Sequence, residues 1–302
     1  MISVAAYARA LMPGVNSWYG MGYNEFPEEW REIFDEYTSE KNFEEDVNTY
    51  GMGLATVKPE AGAIQYGNMG QGWITRYQHA TYGLGFVITR EAIEDNLYKE
   101  LAEQRSKALG MSIRQTRENV AANILNNAFS SSVTYGDGLS LCNTANLLSK
   151  GGTYSNTPTN AVDLSEAALE DALIAIAGFV NDAGLRIAVR AQKLIIPPFA
   201  QFEAKRILGN DMRPETANRD INALVKMGMF PQGYVVNHYL TDNNAWFIKT
   251  DIMDGLKHFE RRPVEITNDT ADFDTENMKF KGTYRDSFGC TDKRAIYGTP
   301  GA

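Results

Sequence analysis

The chain has 302 residues, 43% of them hydrophobic and 22% charged, with ordinary glycine and proline counts and a mean hydropathy of −0.35. That is the composition of a folded globular chain, and it excludes collagen-like, coiled-coil and wholly disordered architectures. The formal charge of −9 is concentrated: Glu25 to Asp46 holds ten acidic residues against Arg31 and Lys41 alone. No basic stripe of the kind that displaces counterions from phosphates is present, which argues against sequence-specific nucleic-acid recognition.

In chain order, the acidic stretch comes first. Pro27 suits a first helical position, and Trp30, Ile33, Phe34 and Tyr37 follow at i, i+3, i+4, i+7 spacing, which predicts one short amphipathic helix. Its apolar face is expected either on its own domain or docked on a neighbour. Residues 51 to 88 carry eight glycines among aromatic and β-branched runs. Leu54–Lys58, Trp73–Tyr82 and Leu84–Ile88 read as strands around a turn-rich tip at Ile64–Gly72. The result is a long hairpin, and a two-stranded ribbon is marginal unless it lies on another surface.

Thr89 is an N-cap candidate with Glu91 and Glu94 in the first turns. From Arg90 to about Phe129 there is no proline and one glycine, Gly110. Ile93, Leu97, Leu101, Ala108, Ile113, Val120, Ile124 and Ala128 form one stripe, predicting a long helix, in one piece or split at Gly110. Ser130 to Thr159 is a polar linker. Asp163 with Glu166 resembles a capping box opening a helix that Gly184 closes. Lys193–Ile196 reads as a buried strand, Phe199–Leu208 and Ile221–Lys226 as helices. Strands follow at Gly233–Tyr239, Ala245–Lys249, Leu256–Thr267 (broken at Pro263), Asn277–Arg285 and Arg294–Tyr297.

Catalytic patterns are sparse. His79, His238 and His258 are scattered, with no HExxH pair or Cys/His cluster. Gly136-x-Gly138-x-Ser140 has the wrong order for a nucleophile elbow, and Gly83-Leu84-Gly85 lacks the third glycine of a dinucleotide fingerprint. Asp269, Asp272 and Asp274 read as a solvated turn before they read as a hard-cation site. Cys142 and Cys290 are too few for a disulfide framework and read as free, partly buried thiols. No secretory signal or membrane span is visible, which makes an intracellular origin the expectation. No cofactor, metal or catalytic residue is expected.

Element order and two stretches carry a resemblance. One runs from Asp171 to Gly184, through Leu194-Ile195-Ile196-Pro197-Pro198, into Phe202–Leu208. The other runs from Trp246-Phe247-Ile248 through Gly255–Glu265 to Phe280–Gly289. Over essentially its full length the chain resembles major capsid proteins of tailed bacteriophages with the Hong Kong 97-type fold, specifically the Mu-like major head subunit group. Encapsulin shells share that fold.

The resemblance implies an α+β fold with an N-terminal arm (1–50), an extended β-hairpin loop (51–88), a spine helix (89–130), an axial domain (131–250) and peripheral return strands (251–302). It implies a structural head protein, assembled in the bacterial host cytoplasm. This protein would form hexamers and pentamers of an icosahedral virion shell around double-stranded DNA, which it would approach without specificity. Scaffolding and portal proteins, and a decoration protein in some members, would be its partners, with no membrane involved. Some relatives begin with a cleavable scaffolding segment. Here the arm starts almost at Met1, so a separate scaffolding protein or a trimmed chain is expected. Lys58 does not match the crosslinking lysine of some members, so no covalent crosslink is expected.

The assembly interface is expected at Tyr66, Met69 and Trp73 of the hairpin and at Trp30, Ile33, Phe34 and Tyr37 of the arm. Basic Arg105, Lys107, Arg114 and Arg117 on the spine would face the acidic stretch. The alternatives are an encapsulin-type protein compartment, or a hydrolase using Cys142, paired with His238, or the Asp269 cluster.

Overall fold

A computed structural model describes residues 4–95, 98–212, 221–269 and 277–302. The chain opens with helix α1 (Val4–Tyr23), which carries Pro13 in its interior. Sequence reading assigned no helix there, because proline and glycines at 14, 20 and 22 interrupt the usual pattern. The next element differs from expectation. Trp30–Glu32 makes a single 3-10 turn, and strand β1 (Asp35–Thr38) follows. A helix through this region would stack Glu28, Glu29, Glu32, Asp35 and Glu36 as repelling i, i+3 and i, i+4 pairs. Instead, Ile33 and Phe34 are buried and β1 gains a parallel ladder partner.

Strands β2 (Phe43–Tyr50) and β3 (Gly70–Gln78) form an antiparallel hairpin with register Phe43↔Gln78 to Tyr50↔Gly70. The expected strand at Leu54–Lys58 is absent, since residues 51–69 form the loop. The expected Trp73–Tyr82 strand is divided at His79, after which β4 (Ala80–Ile88) enters a different sheet. The spine is described as α2 (Arg90–Glu94) and α3 (Tyr98–Asn126), with residues 96–97 between them outside the described residues and Gly110 inside unbroken helix. Strands β5 (Asn146–Leu147) and β6 (Thr153–Tyr154) form a small hairpin in the linker.

Helix α4 (Glu166–Ala177) is capped by Ser165, whose Oγ accepts from the Ala168 N–H, and ends at Gly178. The cap is thus two residues beyond Asp163, and Gly184 instead takes a left-handed turn at φ 79°. Then come β7 (Ala191–Ile196), α5 (Gln201–Gly209), α6 (Ala223–Lys226), β8 (Tyr234–Val236), β9 (Trp246–Thr250), β10 (Leu256–Asp269), β11 (Met278–Cys290) and β12 (Ile296–Thr299). Pro263 lies in β10 where its register with β11 shifts, between Arg262 and Glu265, which lets a residue without an N–H sit inside a long strand.

Two four-stranded sheets result. The first has the order β1-β10-β11-β4 and the second β12-β9-β7-β8. Strand β12 returns from the end of the chain to pair with β9, so residues 251–302 contribute to both sheets.

Helices α1 and α3 cover the first sheet, burying Val15, Tyr19, Ala102, Leu109 and Ile113 against Ile88, Phe280 and Tyr284. Their backbones come close because Gly22 and Gly110 have no side chain. A Cβ on Gly22 would lie 2.2 Å from the Lys107 carbonyl oxygen, and one on Gly110 2.5 Å from that of Tyr19. Gly110 is therefore the contact point of two helices, not a kink. A second core joins Leu169, Leu173 and Ile176 of α4 to β7 and β9. Gly110→Ala would ordinarily favour the helix by about 1 kcal/mol. Here it should instead lower stability by about 1–3 kcal/mol through backbone overlap, read as a reduced midpoint in urea and earlier proteolysis of α1. An unchanged or raised midpoint would show that the two helices can separate freely.

Candidate assembly surfaces

The arm is held by buried polar side chains on the spine. Glu118, 1% exposed, accepts the backbone N–H groups of Glu29 at 2.9 Å and Trp30 at 3.1 Å. It thereby ties down the free donors that open the 3-10 turn. Arg114 donates to the Tyr23 carbonyl at 2.7 Å, closing α1, and lies 3.7 Å from Glu118.

One turn of α3 away from Arg114, Arg117 donates to Asp286 at 3.0 Å and to Glu260 at 3.2 Å. His258 shares Asp286 at 3.2 Å. The Trp30 ring packs on His258 at 4.5 Å and on Phe288 at 5.5 Å. His79, buried at the joint of β3 and β4, meets Ser287 at 2.9 Å and Ser39 at 3.1 Å. Burial lowers its pKa.

These contacts correct part of the expected interface. Trp30, Ile33 and Phe34 are 1%, 0% and 3% exposed and belong to a core with Leu125, Leu141, Phe247 and Ile296. Arg114 and Arg117 are likewise buried and committed within the chain. The acidic stretch finds its cations nearby. Lys193 pairs Glu32 at 2.5 Å, Lys249 pairs Asp35 at 2.9 Å, and Lys257 pairs Asp46 at 2.6 Å. Arg31 pairs Glu28, and His238 pairs Glu29. Sequence reading missed the three lysines, because they come from strands more than a hundred residues downstream. Lys107 pairs Glu103 in its own helix, and Arg105 donates to the Val87 carbonyl. Tyr37 is half-exposed and rests on Phe259. Trp73 is half-buried against Gly136.

The hairpin presents what remains uncovered. The ribbon lies along the body up to the start of the loop: Asp46 pairs with Lys257, Asn48 donates to Asp182, which Arg294 braces at 3.0 Å, and Lys150 donates to the Gly51 carbonyl. Along the loop, Leu54 is 79%, Val57 95% and Tyr66 92% exposed, with Met52, Ile64 and Met69 also exposed. Contiguous apolar exposure on this scale marks an interaction surface.

Cys142 offers no alternative chemistry. It is buried, its thiol pKa is pushed far up by desolvation, and His238 is engaged by Glu29. Asp272 and Asp274 lie outside the described residues. Among the described residues no group of three His, Cys, Asp or Glu is placed to hold a metal ion, and no helix is long and apolar enough to cross a membrane.

Arm, hairpin, long spine and paired sheets in this order define a shell-forming structural protein of the Hong Kong 97-type fold. The family model described as phage capsid protein matches residues 74–298, and the chain belongs to that family, whose place is the virion capsid. No curated protein matches it by sequence. Among solved structures, it is similar to the capsid of a native GTA particle, at 12% identity and a TM-score of 0.54, covering 89% of this chain and 88% of that one. A structure from Mycobacterium phage Patience has 10% identity and a TM-score of 0.54, covering 99% and 90%. The holo-SrpI encapsulin complex from Synechococcus elongatus PCC 7942 has 9% identity and a TM-score of 0.54, covering 91% and 88%.

Two outcomes test the arm lock. Arg117→Met strands Asp286 and Glu260 beside a neutral side chain and should cost about 3–5 kcal/mol, read by denaturant melts. Asp286→Leu in the same chain should recover part of the loss. Burial raises the Glu118 carboxyl from 4.5 to about 7. Between these values the folded chain holds a proton that the unfolded chain has released, so the stability from this group is full below about pH 4.5 and fades as pH rises through 7. Against Glu118→Gln, the unsubstituted chain should lose up to about 3 kcal/mol between pH 5 and 8. A gain over that range would mean that the two N–H donors keep the carboxyl ionised.

Proposed function

We propose that this capsid protein builds an icosahedral shell from hexamers and pentamers of itself, around double-stranded DNA. The observation that carries the reading is the apolar loop at 51–69, whose Leu54, Val57, Tyr66 and Met69 enter none of the chain's own cores and stand exposed. Burial of such surface yields roughly 25 cal/mol per Å², so a neighbouring copy under Leu54, Val57, Tyr66 and Met69 supplies a drive repeated at every subunit. Trp73 and Tyr37 would border that contact, and Arg105 and Lys107 would add cations to the interface from two different faces of the spine.

In this reading the first sheet with α1 and α3 is the peripheral domain, and the second sheet with α4 and α5 is the axial domain. Within the family we place the chain in the Mu-like group. The stretch from Asp171 to Leu208 forms α4, β7 and α5, and Trp246 to Gly289 forms β9, β10 and β11. Scaffolding and portal proteins would complete assembly, and a wall without a basic stripe lets packed DNA move past it. An encapsulin-type compartment has a similar fold, but the capsid family match favours a genome over protein cargo.

Replacing Leu54, Val57 and Tyr66 together by serine should leave the melting temperature within about 2 °C, since all three are solvent-exposed. The same change should abolish megadalton particles in size-exclusion chromatography and negative-stain microscopy. Normal shells from the triple variant would refute the role given to the loop.

A further inference from the structure

The second-sheet unit has apolar features at its two ends. Strand β7 runs about 20 Å from Ala191 to Ile196, and α4 and β9 lie alongside it. At the Ala191 end, a groove of about 670 Å³ opens between Leu173 and Ile176 of α4, Val189, and Met227 and Met229. At the Ile196 end, Phe199 and Phe202 stand 73% and 69% exposed beside Leu164, ahead of α4, and Asn244, ahead of β9. Charge differs between the ends as well. Arg190 stands exposed on the groove, whereas Asp163 and Glu203 flank the phenylalanines.

An aromatic knob and a matching groove at opposite ends of one unit cannot satisfy each other within a chain. Between copies they form a head-to-tail contact, which closes into a ring when the rotation between copies allows. We propose that Phe199 and Phe202 of one subunit seat in the Leu173–Ile176–Met227–Met229 groove of the next copy of this chain, with Arg190 facing Asp163 and Glu203. This inference rests on the shell reading and gives its rings a specific contact. Methionine side chains fill irregular gaps and re-pack readily, so the groove accepts the knob at the slightly different angles of five- and six-membered rings. Glu203 already pairs with Arg206 at 2.9 Å on an exposed surface, an arrangement weak enough to be exchanged for a neighbour's cation.

The test uses the full chain. Phe199→Cys and Met227→Cys in one polypeptide, oxidised after assembly, should give a ladder of covalent multimers on a denaturing gel, while each single variant stays monomeric. The native thiols of Cys142 and Cys290, 3% and 0% exposed, do not compete. Phe202→Asp should weaken ring association by about thirtyfold or more without changing circular dichroism. Arg190→Glu should weaken it too, and Glu203→Arg in the same chain should restore it. Normal shells with no crosslinked ladder would overturn this contact and leave the shell function standing. Failure of the unsubstituted chain to form any particle would overturn the shell function and this contact with it.

Discussion

Arg117 sits 4% exposed with Asp286, Glu260 and, through Asp286, His258 around it. A guanidinium in so dry a place is tolerable only if its donors meet anions, and those anions are tolerable only with the guanidinium present. The cluster therefore fixes how α3 is rotated over β10 and β11. Arg114 and Glu118 lie on the same helix, so this rotation also sets where the Tyr23 carbonyl and the Glu29 and Trp30 N–H groups are received. Arm, spine and first sheet are thus mutually positioned by polar side chains within two turns of one helix, and the apolar packing of Trp30 and Phe34 follows on that frame.

What was legible in the sequence divides by the range of the cause. Strand β7 and the start of helix α4 were read within a few residues, because period and turn chemistry are local, but the end of α4 was placed six residues late, at Gly184 instead of Gly178. The spine was read in extent, but Gly110 was allowed as a split, since glycine signals weakness until a second helix is known to press on it. The arm was misread for the same reason. Trp30, Ile33, Phe34 and Tyr37 have helical spacing, but the outcome depended on an open edge of β10 and on Lys193, Lys249 and Lys257, none of which a local window contains. Of the expected interface residues, Tyr66 and Met69 stayed exposed because glycine-rich sequence around them gives no core to enter. Arg114 and Arg117 look like any solvent-facing helix cations, and only the fold reveals the partners that bury them.

Division of labour within the chain follows. Cores on both sheets are filled from within the chain, by Trp30, Trp246, Phe247, Phe280 and Tyr284. Among the described residues, the hairpin loop and the two ends of the second-sheet unit carry much of the exposed apolar surface, with further single residues such as Phe26, Leu84 and Met253 elsewhere. A subunit built this way can fold first and associate afterwards, because the parts that attract neighbours are not the parts that hold it together.

The margins of the sheets carry a further consequence. An open strand margin accepts almost any extended peptide, and a protein stored at high local density is exposed to that hazard. Here one margin of the first sheet is β1, four residues long and bearing Asp35 and Glu36. The other, β4, contains Gly83 and Gly85 and has its Val87 carbonyl claimed by Arg105. The second sheet ends in β8, only three residues long. Stickiness through promiscuous backbone zippering is suppressed, which leaves recognition to side chains of definite shape and keeps crowded copies from setting into fibres.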